Sequence, residues 1–141
     1  MSEAGSPVTV EACVTTVREA RAAVEAGAGR LELCRRLEVG GLTPSADDVR
    51  EVARTVAVPV HVMVRPRAGD YRARAGEVGR MLDSIETLGA AGAAGFVLGV
   101  LDVADAVDEV ALAELVEAAG SRPVTFHRAF DDVRDRARAL D

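Results

Sequence analysis

Five short apolar runs alternate with five amphipathic segments along the 141 residues, and this alternation is the strongest constraint on the fold. The runs predict strands at 8–13, 30–34, 60–64, 96–101 and 123–127. The segments between them predict five helices. The first begins at Thr15 or Thr16 and ends at Gly27 or Gly29, and the other four span 45–55, 77–88, 108–119 and 132–140. Strict strand–helix alternation is typical of an α/β fold with parallel strands joined by right-handed crossovers.

Two α/β architectures satisfy this order of elements. A doubly wound sheet usually carries a glycine-rich phosphate turn after its first strand, whereas this chain has Cys13-Val14-Thr15-Thr16 there. We therefore predict a TIM (β/α)8 barrel, of which the chain contains about the first five βα units. The polar lead, residues 1–7, is predicted to be disordered, and residues 8–141 form the partial barrel domain.

Polar residues recur on one parity of the predicted strands. In strands one and two, Thr9, Glu11 and Cys13 alternate with valine and alanine, and Glu32 and Cys34 alternate with leucine. Strands three and five repeat the pattern with His61, Met63, Arg65, Thr125 and His127. Because strands of a parallel sheet are normally apolar on both faces, we expect these residues to face a barrel lumen, near the strand ends where barrel enzymes build their sites.

This inner face supplies the candidate catalytic groups Glu11, Glu32, His61 and His127. The carboxylates are expected to pair with the Arg65 guanidinium inside the lumen. The two histidines are the only ones in the chain and are candidates for acid–base chemistry. A buried ion pair and hydrogen-bonded core histidines are the plainer interpretation of the same residues.

The loop after strand three, RPRAGD, is a candidate anion clamp through Arg65 and Arg67, or else a loop held together by an Arg–Asp pair. Cys13 and Cys34 end adjacent predicted strands, so their sulfurs are expected to lie close together, with Met63 one strand further on. Soft sulfur ligands suit Cu(I), although buried cysteines also serve as small apolar filler.

Composition excludes several classes of function. All 17 basic residues are arginine, so no lysine Schiff base can form within the chain. The net charge of −6 makes nucleic acid an unexpected partner. Neither a secretory signal nor a membrane span is recognised, and two cysteines form no disulfide framework, so a cytoplasmic location is expected.

The segments RLELC, GGLTPS, HVMVRPRAGDY, GVLD and TFHRAFD, in this order and spacing, resemble the CutC family of copper homeostasis proteins. The resemblance runs from about Val8 to the end of the chain. It implies a cytoplasmic, self-associating TIM barrel with a role in copper handling, and it adds Arg128 and Asp131 of TFHRAFD to the candidate ligand-binding residues. The loop GVLDVADAVD lacks a glycine expected in that family.

Three functions remain open at this point. The first is a copper-binding protein that uses Cys34, with Cys13 and Met63. The second is a lyase- or isomerase-type enzyme that acts on a small anionic metabolite. The third is an inactive fragment or one half of a split barrel, because the family continues through three more βα units. On this last basis we expect homo-oligomers, or association with a complementary C-terminal half, through open sheet edges.

Overall fold

The computed structural model describes residues 7–141, so all but one residue of the predicted disordered lead lies outside the described part of the chain. Five strands form one parallel sheet: β1 (Glu11–Val14), β2 (Arg30–Leu33), β3 (Val60–Met63), β4 (Gly95–Leu98) and β5 (Val124–Phe126). Their spatial order is β1-β2-β3-β4-β5, the same as their order in the chain. This unbroken order is that of a (β/α) barrel, whereas a doubly wound sheet reverses at a switch point. The predicted fold class is confirmed.

The helices follow the strands in turn: α1 (Val17–Glu25), α2 (Ala46–Thr55), α3 (Glu77–Ala91), α4 (Glu109–Ala119) and α5 (Arg136–Leu140). Two short 3-10 turns, Leu37–Val39 and Arg128–Asp132, lie in the loops after β2 and β5. The first four helices pack side by side in sequence order. They therefore form one layer over one face of the sheet.

Local sequence signals explain where the helices begin. The Thr16 hydroxyl accepts a hydrogen bond from the Glu19 N–H at 3.1 Å, and the Glu19 carboxylate accepts from the Thr15 N–H at 2.7 Å. These reciprocal bonds satisfy backbone donors of the first turn. Ser45, Asp108 and Asp135 cap α2, α4 and α5 in the same manner.

Several predicted boundaries were wrong. Helix α5 begins at Arg136 rather than at 132, because residues 128–132 form a 3-10 turn and Asp135 provides the cap. Helix α3 continues through Gly89 and ends only at Gly92, whose φ of +116° is the left-handed conformation that glycine adopts readily. Strand β4 starts at Gly95 and ends at Leu98. Leu101, predicted to lie in this strand, instead forms isolated bridges to Arg72 and Val107.

The first strand is also shorter than predicted, because its pairing with β2 starts only at Glu11 opposite Arg30. Val8 and Val10 precede it and are 90% and 61% exposed. The expectation that both valines face the helix layer was wrong. No described element covers them.

The alternation within β2 and β3 is confirmed. In β5, Val124 packs against the helix-side core, but the prediction that Phe126 shares this face was wrong, because Phe126 packs against the cluster of Leu101 and Ala129 and lines the inner face. The core between sheet and helices contains the apolar strand residues together with helix residues such as Val49, Ile85 and Leu115; its strand members are Val14, Leu31, Leu33, Val60, Val62, Phe96 and Leu98. On the opposite face Cys34, Met63 and Val97 form a separate buried cluster. The sheet therefore has one helix-covered face and one inner face, as the parity of the sequence indicated.

Strands β1 and β5 are the outer strands of the described sheet. The expectation that these edges associate with another chain stays a prediction. Within residues 7–141, none of the helices has the length and apolar character needed to cross a membrane.

Candidate functional site

The strand register brings the predicted inner-face residues into two rows. Cys13 lies opposite Glu32, Glu32 opposite His61, and His61 opposite Gly95. In the second row Met63 lies opposite Val97, which in turn lies opposite Thr125. Because partners in a parallel sheet share a face, the chemistry-bearing side chains of four strands meet on one surface.

Two glycines of the β4 region make room for the histidines. A Cβ atom added to Gly95 would lie 2.7 Å from Cε1 of His61, and one added to Gly99 would lie 2.6 Å from Cε1 of His127. Any larger residue would displace the imidazole rings. Sequence reasoning missed this role, although the spacing of Gly95 and Gly99 has the parity of the inner face.

The carboxylates on β1 and β2 have different surroundings, because only Glu11 has an arginine partner among the described residues. The Arg30 Nε donates to Glu11 Oε2 at 2.5 Å. Burial raises the pKa of Glu32, and the neighbouring Glu11 carboxylate raises it further. The predicted pairing of these carboxylates with Arg65 was wrong, because Arg30 lies directly opposite Glu11 and reaches it first. Arg30 shares the parity of Glu32 and Cys34, the signal that could have identified it.

His61 is buried on the same face, with 4% of its surface exposed. Burial lowers the pKa of His61, and the positive charge of Arg30 lowers it further. The Nδ1 atom has no hydrogen-bond partner among the described residues. His61 is therefore a neutral imidazole at physiological pH, held next to the Glu11–Arg30 pair.

Arg65 is 7% exposed and is held by backbone carbonyls. Its Nη1 donates to the carbonyls of Val39 and Gly41 at 2.9 and 3.2 Å, and its Nη2 donates to that of Gly69 at 2.9 Å. Its guanidinium carbon lies 4.9 Å from the centre of the Tyr71 ring. Its Nε has no acceptor in the described chain, and no carboxylate lies within ion-pair distance there.

His127 also lies beside Tyr71, with the two ring centres 5.0 Å apart. Its Nδ1 accepts a hydrogen bond from the Ala129 N–H at 3.1 Å, so the proton of the neutral ring is on Nε2. This Nε2 is buried without a partner among residues 7–141. Burial, with a smaller effect of the Arg65 charge, lowers the pKa of His127 to about 4.

These residues line a groove of about 440 Å³ at the carboxyl ends of the strands, which we call the Arg65–His127 groove. Its walls combine charged, aromatic and aliphatic side chains; the lining includes Glu32, Met63, Arg65, Tyr71, Val97, Thr125, Phe126, His127, Arg128 and Asp131. Arg128 and Asp131 lie at its exposed rim, with Nε and Oδ2 3.6 Å apart. Sequence reasoning missed Tyr71, which directly follows the RPRAGD loop.

Arg67, the other predicted clamp residue, does not line this groove. Its Nε donates to Glu77 Oε1 at 2.5 Å, and its Nη2 donates to Asp70 Oδ1 at 2.8 Å and to the Arg72 carbonyl at 2.7 Å. Arg67 therefore ties the loop to the start of α3. The plainer interpretation, a loop held by an Arg–Asp pair, describes Arg67, whereas Arg65 remains available for a ligand.

The two cysteines lie as close together as the sequence indicated. Their Sγ atoms are 3.8 Å apart, with Cys13 exposed and Cys34 buried. Met63 packs against Cys34, and a Cβ on Gly41 would touch both side chains. Burial raises the pKa of Cys34 to about 12, and the pKa of Cys13 is also raised, chiefly by burial. Both thiols are therefore protonated at neutral pH.

The described residues do not form a metal site from His, Cys, Asp and Glu side chains. Among the described residues, no three His, Cys, Asp or Glu side chains cluster so as to hold a metal ion. The Met63 thioether, which packs against Cys34, is a further sulfur donor beside the cysteine pair. Such a set of sulfur ligands suits a soft ion such as Cu(I).

The sequential parallel sheet, the single helix layer and the polar inner face define a partial TIM barrel with a candidate site at the strand ends. The model of the CutC family matches residues 8–141, and the chain belongs to that family. It is 46% identical to a CutC protein of Mesorhizobium japonicum over 132 residues, covering 94% of this chain and 51% of the relative.

A mouse relative described as a copper homeostasis protein cutC homolog is 42% identical over 138 residues, covering 98% of this chain and 51% of the relative. The structure of CutC from Streptococcus agalactiae superposes with a TM-score of 0.88 at 28% identity, covering 95% of this chain and 67% of that one. The chain thus spans about half the length of the curated relatives it matches.

Proposed function

We propose that this chain contributes to copper homeostasis by binding one Cu(I) ion through Cys13, Cys34 and Met63. The observation that carries the proposal is the 3.8 Å separation of the two Sγ atoms, which come from neighbouring strands. A thiolate pair with a thioether beside it is the ligand set that soft Cu(I) prefers. The name of the mouse relative supports the same function.

The loop after β2 packs closely against this sulfur site at Gly41. Gly41 adopts a φ of +91°, and a Cβ there would lie 3.2 Å from Cys34 Sγ and 3.4 Å from Met63 Cε. The glycine therefore allows the loop to lie directly against Cys34 Sγ and the terminal methyl group of Met63. Cys13 is the exposed member of the set, so the ion would enter from its side.

Binding must displace the thiol protons, because thiolates are the metal ligands. Since the pKa of Cys34 is raised to about 12, this displacement opposes binding at neutral pH, and the apparent affinity should increase as the pH increases. Two free thiols also suit a reducing compartment, so the proposal includes a cytoplasmic location.

Anaerobic titration against a chromophoric Cu(I) chelator tests the proposal. We expect one Cu(I) per chain, and a loss of affinity of at least about tenfold in Cys34→Ala and in Met63→Leu. Met81→Leu is the matched control, because Met81 is equally buried but lies in the helix-side core. Unchanged binding in the Cys13→Ser, Cys34→Ala double variant would exclude the site.

A further inference from the structure

The donors of the Arg65–His127 groove are not used by the proposed copper site. Arginine has five N–H donors, and three of those of Arg65 are taken by the carbonyls of Val39, Gly41 and Gly69. The two that remain are on Nε and Nη2, which form one edge of the guanidinium. A carboxylate accepts hydrogen bonds from such an edge in the bidentate arrangement.

The charge of Arg65 is also uncompensated. Glu11 pairs with Arg30, Glu77 with Arg67, and Asp105 with Arg72, whereas the Arg65 guanidinium donates to backbone carbonyls and forms no ion pair among residues 7–141. A buried charge without a counter-ion is costly, and proteins normally keep one only where it pairs with something. The buried part of the groove therefore presents the positive charge of Arg65 to a ligand, whereas Arg128 at the exposed rim lies 3.6 Å from the Asp131 carboxylate.

His127 adds a second donor without adding charge. Its Nδ1 accepts from the Ala129 N–H, which leaves Nε2–H as a neutral donor buried beside Tyr71. One guanidinium and one neutral N–H balance a singly charged anion. A doubly charged phosphate would retain an excess negative charge next to Glu32, which also lines the groove.

We propose that the Arg65–His127 groove binds the carboxylate of a small organic acid, with Arg65 Nε and Nη2 and His127 Nε2 as the donors. The remainder of the ligand contacts Met63, Val97 and Phe126 on the groove wall. The volume of about 440 Å³ accommodates a molecule somewhat larger than an aromatic ring with one carboxylate. This site is separate from the cysteine pair, with Met63 as the residue that borders both.

Benzoate is the probe, with the neutral isostere benzamide and inorganic phosphate as comparisons, all at constant ionic strength. Calorimetric titration of the 141-residue chain should give a benzoate Kd on the order of 1 mM, and binding of benzamide and phosphate at least about tenfold weaker. The Nε–H resonance of Arg65 and the ring signals of His127 should shift during the benzoate titration. Equal binding of benzoate and benzamide, tighter binding of phosphate, or no shift at Arg65 would each overturn the proposal.

Substitution of Arg65 removes three loop hydrogen bonds and threatens the fold, so His127→Asn is the decisive variant. Asparagine retains an acceptor for the Ala129 N–H but lacks the Nε2 donor. We expect it to keep the melting temperature and lose about tenfold in benzoate affinity. Arg72→Lys, in the same loop but paired with Asp105, and Cys13→Ser should both bind benzoate as wild type does. An unchanged benzoate affinity in His127→Asn refutes the site, and this outcome is independent of any result with copper.

Discussion

Arg65 and Arg67 lie two residues apart in the loop that joins β3 to α3 (residues 64–76), but their guanidinium groups have different partners. Arg67 turns toward α3, where it donates to the carboxylates of Glu77 and Asp70. Arg65 lines the groove, where it donates to backbone carbonyls and packs against the Tyr71 ring without an ion-pair partner among the described residues. One arginine is neutralised inside the protein and the other is left with free donors, which distinguishes a residue that stabilises the loop from one that can bind a ligand.

The largest effect on stability is expected at Glu77, a buried carboxylate that would lose its arginine partner. Glu77 is 5% exposed and accepts from Arg67 and from the Arg74 N–H. Burial raises the pKa of Glu77, but the Arg74 N–H and the Arg67 guanidinium outweigh it, so the net pKa is lowered. We expect Arg67→Met to reduce the free energy of unfolding by about 2 to 3 kcal/mol, because it removes the close guanidinium partner of this buried carboxylate and leaves only the Arg74 N–H and the more distant Arg80.

Urea denaturation measures this loss. Addition of Glu77→Gln to Arg67→Met should recover part of it, since the buried group is then neutral. Arg80→Met is the control, because Arg80 is exposed and its Nη2 lies 3.8 Å from Glu77. If the double variant were no more stable than Arg67→Met, the unpaired charge would not be the cause of the loss.

The next largest effect is on the pH dependence of stability, and it concerns His127, which lines the groove with Arg65. Its pKa of about 4 in the folded state lies below the ordinary value of 6.5, so the unfolded chain binds a proton first as the pH falls. Stability from this group is therefore complete above pH 6.5 and is lost as the pH decreases toward 4. The expected loss between pH 7 and pH 5 is about 2 kcal/mol.

The comparison of wild type with His127→Asn isolates this contribution, because other groups titrate equally in both proteins. The free energy of unfolding of the variant, measured in urea at several pH values, should fall less steeply between pH 7 and pH 5. Parallel curves would mean that His127 is protonated at no extra cost in the folded state.

The smallest effect on stability is expected at the exposed ion pair between Arg72 and Asp105. The guanidinium donates to both carboxylate oxygens, at 2.8 and 2.7 Å, but both side chains are in contact with solvent. Water and salt screen such pairs strongly. Arg72→Met should leave the thermal midpoint within error of wild type at 0.15 M salt, and a clear decrease there would show that this pair, like Arg67–Glu77, holds the loop.

Much of the fold could be predicted from local pattern. The order of strands and helices, the Thr16 and Ser45 helix starts, and the division of β2 and β3 into two faces depend on residues close in the chain. The close approach of Cys13 and Cys34 followed from the same alternation, since both end neighbouring parallel strands. Boundaries were less certain where a turn competed with a regular element, as at residues 128–132.

The sequence by itself determined which residue types reach the inner face, because side chains alternate with a period of two along any strand. Only the tertiary structure decided which of them are neutralised there. Arg30 forms an ion pair with Glu11 because the register places them opposite each other. Arg67 forms an ion pair with Glu77 because the loop folds back on α3. Arg65 and His127 are left with free donors because the β3–α3 loop and the turn after β5 place both of them beside the Tyr71 ring and away from the carboxylates. Such pairings depend on distances between segments far apart in the chain, which local periodicity does not contain.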